Sequence, residues 1–418
     1  MKKSKIGTRS VALSLLLLCV TFVLCCCSDT GRQNVQQTTQ QTSAVQPTTL
    51  SAEEINDRKL DKLISGMTLE EKVGQMFYVR CPDSGAVEQV GKYKIGGYIL
   101  FSRDFDGKTR DEITSDIQSY QDAADIPLLI GVDEEGGTVV RVSSNPNLRE
   151  TPFLSPKETY AQGGWDAVKN DAEKKADLLL SLGINVNMAP VCDMTSDING
   201  FMYDRSFSSD IDMENRYVRT VVETSKAKNL GSVLKHFPGY GNNTDTHTGI
   251  AYDNREYSEF VSTDFKPFYQ GIESGADCIL VSHSIVNCMD SEYPASLSKK
   301  VHQILRKDFE FDGVIMTDDL IMDAITDFTG DEAAAVTAAK CGNDILCCSS
   351  VETQYPAVLE AVENGEISES QINASVKRIL RWKQNIGIFN IDTYQKKSSV
   401  ETTETPETTE QTTEYTEN

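Results

Sequence analysis

The sequence predicts an α/β protein built around one (β/α)8 barrel of the TIM type, and three observations support this fold. Short apolar runs alternate with longer amphipathic stretches across residues 52–392. The runs are continuously apolar, as in parallel strands buried on both faces. Charged residues recur just after the runs, and no linker interrupts a stretch whose length is typical of one α/β barrel. A doubly wound open sheet is the alternative fold.

The eight apolar runs are the predicted barrel strands: Gln75–Val79, Gly97–Phe101, Leu128–Val132, Asn185–Ala189, Ser232–Leu234, Cys278–Val281, Val314–Met316 and Asp344–Leu346. The stretches Trp165–Leu182, Met213–Lys228 and Ser368–Gln384 have helical periodicity and lie between or after these runs.

Residues 1–27 have the features of a lipoprotein signal peptide. Basic residues precede an apolar run from Val11 to Leu24, which is too short for a comfortable membrane span. Leu24 stands three positions before Cys27, and this spacing resembles the lipobox of bacterial lipoproteins, whose cysteine is lipidated after cleavage. We therefore expect a lipid on Cys27, or on Cys26 or Cys25, that anchors the protein in the lipid bilayer at the outer face of a bacterial cell membrane. A plain secretory signal is the other interpretation.

Two polar segments flank the predicted barrel. Residues 28–51 are rich in Gln, Thr and Ser, and residues 393–418 form a Thr/Glu tract. Neither segment contains enough apolar surface to offset the entropy lost on ordering. We expect a disordered tether before the barrel and a disordered tail after it.

Charge and cysteine content exclude several classes of protein. The net charge of -23 argues against nucleic acid as a partner. None of the eleven cysteines forms a C-x-x-C pair, so neither a zinc site nor a disulfide framework is indicated. We expect no metal and no cofactor, and most cysteines of the barrel should be buried as small hydrophobic residues.

Polar residues follow four of the predicted strands. Asp133 opens a D-E-E-G-G segment after the third strand, Lys235 and His236 follow the fifth, His283 follows the sixth and Asp318 follows the seventh. Each could be an ordinary helix cap. Because the carboxyl ends of barrel strands meet on one face, a shared concave site explains the four placements together.

The loop after the fifth strand carries a second titratable pair. Pro238, Gly239 and Gly241 prevent a helix or strand from continuing, and Asp245 and His247 follow in a D-T-H segment. A carboxylate two residues from an imidazole can hold one ring nitrogen and leave the other free to pass a proton. An ordinary surface turn is the alternative for this pair.

The histidines and carboxylates indicate a class of reaction. The chain has four histidines, and none has metal-binding spacing. His302 falls on a helical stretch and is expected at the surface. Carboxylates, cations and an imidazole on one face suit a reaction with an oxocarbenium-like transition state, in which a carboxylate attacks a sugar carbon and another group protonates the departing oxygen.

Three motifs carry a family resemblance: I-G-V-D-E-E-G-G-T-V-V-R, K-H-F-P-G-Y-G with D-T-H, and V-I-M-T-D-D-L-I-M. In this order they resemble the family 3 glycoside hydrolases, in their β-N-acetylglucosaminidase branch. The resemblance extends from M-T-L-E-E-K-V-G-Q-M-F near Met67 to about Phe389. It implies a barrel that releases terminal β-linked N-acetylglucosamine with retention, from cell-wall (peptidoglycan) or chitin-type fragments.

The resemblance also implies roles for individual residues. Asp318 matches the nucleophile, and His247 matches the acid/base, oriented by Asp245. Positions that bind the sugar are matched by Asp133, Arg141, Arg205, Lys235 and His236. Asp319 competes with Asp318 but matches a position that can be non-acidic in the family, so we expect it to be a spectator.

The chain departs from the family pattern within the fifth-strand loop. Many relatives carry histidine where this chain has Tyr240, and the loop from His236 to His247 is one residue shorter than in the commonest form.

Two other functions compete with hydrolysis. A neutral histidine does not repel phosphate, so a phosphorylase that releases the sugar 1-phosphate is one alternative. A sugar-binding lipoprotein of an importer is the other, although pure binding does not need a nucleophile and a proton donor. We expect a monomer that acts on a carbohydrate substrate.

Overall fold

Eight parallel strands form the barrel in the computed structural model, which describes residues 50–243, 245–246, 249–329, 334–348 and 350–396. The predicted signal peptide, Cys27 and His247 lie outside the described residues, as do most of the predicted tether and tail. The barrel strands are β1 (Phe77–Arg80), β2 (Gly97–Leu100), β3 (Leu129–Val132), β4 (Val186–Asn187), β5 (Gly231–Phe237), β7 (Cys278–Val281), β9 (Val314–Thr317) and β10 (Leu346–Cys348). The short strands β6 (Tyr252–Asp253) and β8 (Ile285–Val286) pair with each other in a separate sheet.

Strand order confirms the predicted barrel. The strands are neighbours in the order β10-β1-β2-β3-β4-β5-β7-β9, and every pairing is parallel. A parallel bridge between Met316 and Ile345 joins β9 to the start of β10. The Thr317 N–H also donates to the Ile345 carbonyl at 3.2 Å. These contacts join the two ends of the sheet, so the open-sheet alternative is wrong.

Helices follow the strands and cover the outside of the barrel. They are α1 (Ala52–Ser65), α2 (Leu69–Gln75), α3 (Ala86–Tyr93), α4 (Ser102–Phe105), α5 (Arg110–Ala123), α6 (Pro156–Leu180), α7 (Ile211–Ala227), α8 (Tyr257–Ser262), α9 (Phe265–Glu273), α10 (Lys299–Gln303), α11 (Asp323–Thr329), α12 (Ala334–Cys341), α13 (Val351–Glu363) and α14 (Glu369–Asn385). The three predicted helical stretches correspond to α6, α7 and α14.

Local sequence explains where several helices begin. Ser51, Thr68, Thr109 and Ser155 each accept the backbone N–H three residues on, and a glutamate at that position reaches back to the cap. This reciprocal capping box satisfies two backbone donors that a helix start leaves without partners. The T-L-E-E segment at Thr68 therefore fixes α2 immediately before β1.

Apolar side chains between strands and helices form the core. One cluster joins β1 to β4 and β10 with α1, α2, α13 and α14, and a second fills the space outside β5, β7 and β9. Three phenylalanines of the second cluster contact Phe237 directly, with ring centroids 5.2–5.5 Å apart. The core therefore anchors β5 just beyond Lys235 and His236.

The structure corrects three boundaries. Gln75 ends α2 instead of beginning β1, and Asp344 precedes β10. Lys235 and His236 lie within β5 instead of after it, because the Lys235 carbonyl accepts the Cys192 N–H at 2.6 Å and so continues the pairing with the chain after β4.

The prediction for His302 is wrong, and the prediction that most cysteines of the barrel are buried is confirmed. His302 is buried, not at the surface, and its Nδ1–H donates to the Ser298 carbonyl at 2.7 Å. Of the seven cysteines in the described ranges, six are buried and only Cys288 is exposed. No helix formed by the described residues is long and apolar enough to cross a membrane.

Candidate active site

The carboxyl ends of the barrel strands, which we call the mouth, carry most of the predicted site residues. Asp133 follows β3, Lys235 and His236 lie near the end of β5, and Asp318 follows β9. Strand register brings these positions to the same level, because Val132 pairs with Asn187 on β4 and Val281 pairs with Thr317 on β9. The fold therefore supplies a reason for residues far apart in sequence to meet.

Lys235 is the centre of an ion-pair cluster at the mouth. Its ammonium lies 2.5 Å from Asp133 Oδ1 and 2.7 Å from Glu135 Oε1. Arg205 binds the same Glu135 through two nitrogens, at 3.0 Å from Nε and 2.7 Å from Nη2. Two cations and two carboxylates therefore hold one another in a fixed arrangement.

Exposure separates the two carboxylates of this cluster. The Glu135 side chain is 3% exposed, whereas the Asp133 side chain is 16% exposed. Burial alone would raise the pKa of Glu135, but attraction to Arg205 and Lys235 outweighs burial and holds that pKa far below its usual range. Glu135 is therefore a permanent anion that fixes the two cations, and Asp133 is the carboxylate that can also meet a ligand.

His236 joins the cluster through a defined tautomer. Its Nδ1 lies 2.7 Å from Asp193 Oδ2, and its Nε2 lies 3.3 Å from Arg205 Nη2. Arginine can only donate, so Nε2 accepts and Nδ1–H donates to Asp193. Asp193 is buried and also accepts the backbone N–H of His236 at 3.0 Å. This contact fixes the ring plane at the mouth.

Asp318 occupies the turn after β9. Its backbone N–H donates to the Val281 carbonyl at 3.2 Å, and its Oδ1 accepts the Asp319 N–H at 2.8 Å. Burial and the charge of Asp318 raise the pKa of Tyr240, which places the carboxylate near the fifth-strand loop. After burial, the charges of Asp319, Asp318 and Asp133 are among the causes that raise the pKa of Cys347 on β10, so these carboxylates act on the same part of the barrel interior.

His283 supports the turn that carries Asp318. Its Nε2 lies 3.0 Å from the Asp319 carbonyl, so Nε2 carries the proton, and its Nδ1 accepts from the Ser296 hydroxyl at 2.7 Å. The side chain is fully buried. The structure thus gives a supporting role to a residue whose sequence position indicated only the correct face.

Asp319 and Arg141 differ from the clustered residues. Asp319 Oδ1 accepts the backbone N–H of Ile321 at 3.2 Å, as in an Asx turn. The Arg141 guanidinium lies 6.0 Å from the Phe101 ring, and its backbone N–H donates to Glu134 at 2.9 Å. Arg141 is therefore placed at the rim by Phe101 and Glu134.

The D-T-H segment is described in part. Asp245 is half-buried, and Thr246 is fully buried with its hydroxyl 2.5 Å from that of Tyr240. His247, the predicted acid/base, lies outside the described residues. The structure therefore places the two residues that precede it in the chain.

The sequence did not predict the roles of three residues in the network, although Tyr240 was noted as a departure from the family pattern. Glu135 joins Lys235 to Arg205, Asp193 holds His236, and Tyr240 contacts Thr246. Glu135 could have been found as the second acid after Asp133, whereas Asp193 follows β4, a strand of two residues that gives little signal. Within the described ranges, no group of three or more His, Cys, Asp or Glu side chains is arranged to hold a metal ion.

Comparison with known proteins decides the family. The family profile described as Glycosyl hydrolase family 3 N terminal domain matches residues 68–382, which include the whole mouth. The chain belongs to glycoside hydrolase family 3. It is therefore a glycoside hydrolase, and carbohydrate is its substrate class.

Named relatives lie within this family. The chain is 32% identical over 286 residues to a β-hexosaminidase of Hydrogenovibrio crunogenus, covering 66% of this chain and 79% of that protein. It is also 32% identical to a β-hexosaminidase of Haemophilus influenzae, covering 68% of this chain and 80% of that protein. Both alignments cover most of the relative's length.

A solved family 3 structure has the same architecture. The β-N-acetylglucosaminidase of Paenibacillus sp. str. FPU-7 superposes with a TM-score of 0.72 at 29% sequence identity. The alignment covers 77% of this chain but only 63% of that protein.

Proposed function

We propose that this glycoside hydrolase is a retaining exo-β-N-acetylglucosaminidase that acts on peptidoglycan or chitin-type fragments. The observation that carries the proposal is the pairing of a ligand-facing carboxylate with fixed cations beside Asp318. Asp133 is held by Lys235 at 2.5 Å and stays partly exposed, while Arg205 and His236 complete a donor and acceptor set suited to sugar hydroxyls. The names of the similar proteins, β-hexosaminidase and β-N-acetylglucosaminidase, are the reason for proposing an N-acetylhexosamine as the sugar.

Two steps account for retention. In the first, an Asp318 oxygen attacks the anomeric carbon as the glycosidic C–O bond breaks, and His247 gives its proton to the departing oxygen. In the second, water attacks the glycosyl ester, His247 takes its proton, and Asp318 leaves as a carboxylate. Asp245 orients the imidazole by accepting from one nitrogen. Each step returns the acid/base to the state that the other requires.

Charge at the mouth favours the developing oxocarbenium ion. Glu135 and Asp133 together balance the charges of Lys235 and Arg205, so the Asp318 carboxylate adds a net negative charge close to the sugar position. Because the site is formed before substrate binds, these charges need little reorganisation during the reaction. This arrangement explains why the cluster contains more side chains than recognition of hydroxyls alone requires.

Release of nitrophenol from p-nitrophenyl β-N-acetylglucosaminide tests the proposal, with and without inorganic phosphate. We expect turnover without phosphate and free N-acetylglucosamine as the product. Formation of the sugar 1-phosphate only with phosphate would instead identify a phosphorylase. Binding of N-acetylglucosamine without turnover of either kind would identify a sugar-binding protein.

We also propose that the protein is exported and anchored by a diacylglyceryl group on Cys27. The support is the lipobox-like spacing from Leu24 and the polar segment that follows. Two acyl chains give stable anchoring, whereas one gives marginal binding. Mass spectrometry of the mature N-terminus should find the modified cysteine, and Cys27→Ala should move the protein from the detergent phase to the aqueous phase. An unmodified, soluble mature N-terminus would contradict this proposal.

A further inference from the structure

Tyr240 connects two parts of the mouth that strand register does not connect. Its hydroxyl lies 2.5 Å from the Thr246 hydroxyl, and both side chains are buried, with Tyr240 2% exposed and Thr246 fully buried. Thr246 stands between Asp245 and His247 in the chain. The contact therefore fixes the middle residue of the proposed acid/base segment.

The other end of Tyr240 is fixed to the sugar-binding cluster. Its backbone N–H donates to Asp193 Oδ1 at 2.7 Å, and Asp193 also holds the His236 ring. The Tyr240 ring lies edge-on to His236 with centroids 5.2 Å apart, and its centroid is 5.8 Å from that of Phe201. These contacts leave the ring little freedom, so its hydroxyl is presented at one point.

Among the described contacts of the loop, two others hold an earlier part of the chain. Arg255 Nη2 donates to the Gly239 carbonyl at 3.0 Å, and Asn243 Nδ2 donates to Asp253 at 2.8 Å. Gly239 has a φ of 119°, and a Cβ there would lie 2.4 Å from Asp264 Oδ1. These contacts hold the loop at Gly239 and Asn243, and the Tyr240 hydroxyl holds it at Thr246.

We propose that Tyr240 is a positioning residue for catalysis, whose hydroxyl anchors Thr246 and thereby sets the position of the Asp245 and His247 pair relative to Asp318. The inference rests on the proposed function and assigns a role to a residue that need not touch the substrate. A displaced proton donor harms only the steps that need proton transfer, so a defect in Tyr240 should depend on the leaving group.

Two variants that each remove one of the two hydroxyls test how much the contact contributes to catalysis. Tyr240→Phe keeps the ring and its packing, and Thr246→Val keeps the size of the side chain. Loss of one partner leaves the other buried hydroxyl unsatisfied, which favours a displaced position of the segment. We expect either variant to lower kcat/KM about tenfold on N,N′-diacetylchitobiose, whose leaving group needs a proton.

The same variants should change kcat/KM less than about twofold on 2,4-dinitrophenyl β-N-acetylglucosaminide, whose phenolate departs without protonation. Thr246→Ser restores a hydroxyl and should recover most of the loss. The double variant should be no worse than either single variant, since one contact is removed in all three.

Tyr98→Phe is the matched control. The Tyr98 hydroxyl is also buried and donates to the Ala86 carbonyl at 2.8 Å, but it lies on the outer face of β2. Tyr98→Phe should leave the ratio of kcat/KM between the two substrates unchanged. Thermal unfolding of every variant shows which proteins fold, and Thr246→Val tests the contact independently if Tyr240→Phe does not.

Two results would overturn the inference while the proposed function stands: equal losses on both substrates, or wild-type rates in both hydroxyl variants. The proposed function fails separately, if the wild-type protein hydrolyses neither substrate.

Discussion

The two ends of the barrel both contain networks of opposite charges, but they are built differently. At the mouth, Lys235 and Arg205 share Glu135, and Asp133 remains partly open to solvent. At the amino ends of the strands, which we call the base, the buried Asp344 binds Arg306 and Arg378. Asp344 also accepts the Ile315 N–H at 2.9 Å and the Ser375 hydroxyl at 2.8 Å.

The difference lies in what each network leaves unsatisfied. Both oxygens of Asp344 accept from protein donors, and its side chain is 1% exposed. Asp344 therefore joins α14 to the start of β9 and has no oxygen available for a ligand. Asp133 keeps exposed surface beside fixed cations. A barrel uses its base for stability and its mouth for chemistry, and partial exposure of a paired carboxylate distinguishes the two here.

A cavity at the base shows that volume alone does not identify the active site. It has a volume of about 530 Å³ and is lined by apolar side chains such as Leu63 and Ile126, with lysines and the scattered acids Glu71, Asp125 and Asp392. It contains neither an imidazole nor the convergent carboxylates of the mouth. The arrangement of charge identifies the active site better than the volume of a cavity does.

The sharpest test of the comparison is Asp318→Ala at the mouth. It should lower turnover at least about 10⁴-fold, because the covalent step is lost, and leave thermal stability nearly unchanged. A 2-deoxy-2-fluoro or 5-fluoro glycoside should label Asp318, as peptide mass spectrometry would show. Asp319→Ala is the control and should keep most activity, since His283 contacts the Asp319 backbone. Labelling at Asp319 would reverse the assignment.

His247→Ala should produce the next largest effect, and a selective one. Substrates with poor leaving groups should lose about 10²- to 10⁴-fold in kcat/KM, while nitrophenyl glycosides lose much less. Asp245→Asn should give a milder form of this pattern, because it removes the orienting charge but keeps the imidazole. Equal losses on both classes would mean that His247 only positions the sugar.

Asp344→Asn at the base should lower stability and leave activity unchanged, the reverse of Asp318→Ala at the mouth. Removing one charge from a buried network typically costs about 3–5 kcal/mol. Here Arg306 loses the carboxylate of Asp344, and Arg378 keeps only its pair with Asp312. We expect the Tm to fall by several degrees with kcat unchanged for the folded protein. Asp61→Asn is the control, since its pair with Lys377 is exposed and should be worth about 0–1 kcal/mol. A loss of kcat without a loss of stability would break the comparison.

The smallest predicted effect is a gain in stability at the base. Lys383 is fully buried, its ammonium donates to Gln75 at 2.8 Å, and burial lowers its pKa to about 7. The unfolded chain keeps this proton up to about pH 10, so the group makes stability rise as the pH increases from about 7 to 10. Lys383→Met should therefore stabilise the protein by about 2–4 kcal/mol near pH 7, after allowing for the lost hydrogen bond.

Urea unfolding of wild type and Lys383→Met at pH 6.5 and pH 10 would measure this gain. The difference between the two proteins should shrink at the higher pH, where Lys383 is neutral in the folded protein and no charge is buried there. A gain that does not depend on pH would show that packing, not charge, is responsible.

Sequence predicted the barrel well because its strands are short, apolar and regularly spaced. The cluster of Asp133, Lys235, His236 and Arg205 could be anticipated, since three of these residues lie at strand ends and the family resemblance implied the fourth, Arg205. Of the partners that hold them, Glu135 could have been found as the second acid after Asp133, but Asp193 could not. Asp193 meets His236 only through the way β4 and β5 stagger, and a linear pattern does not contain that information.

Where sequence reasoning failed, tertiary contacts had outweighed local pattern. His302 was expected at the surface from its helical stretch, but the helix packs between the barrel and α12, where the ring lies 3.9 Å from Cys341 Sγ. Lys235 and His236 were expected beyond the strand, but backbone bonds to the segment after β4 extend β5 across them. Each case depends on a neighbour distant in sequence.

Because most of the described cysteines are buried, their reactivity can report where the barrel opens. Thiols react as thiolates, and burial raises the pKa of inner thiols such as Cys192, Cys278 and Cys347. In the part of the chain that is described, a maleimide should therefore modify Cys288 at once and the other six only when the barrel opens around them. The order in which those six are modified would rank the strands by how often each separates from its neighbours.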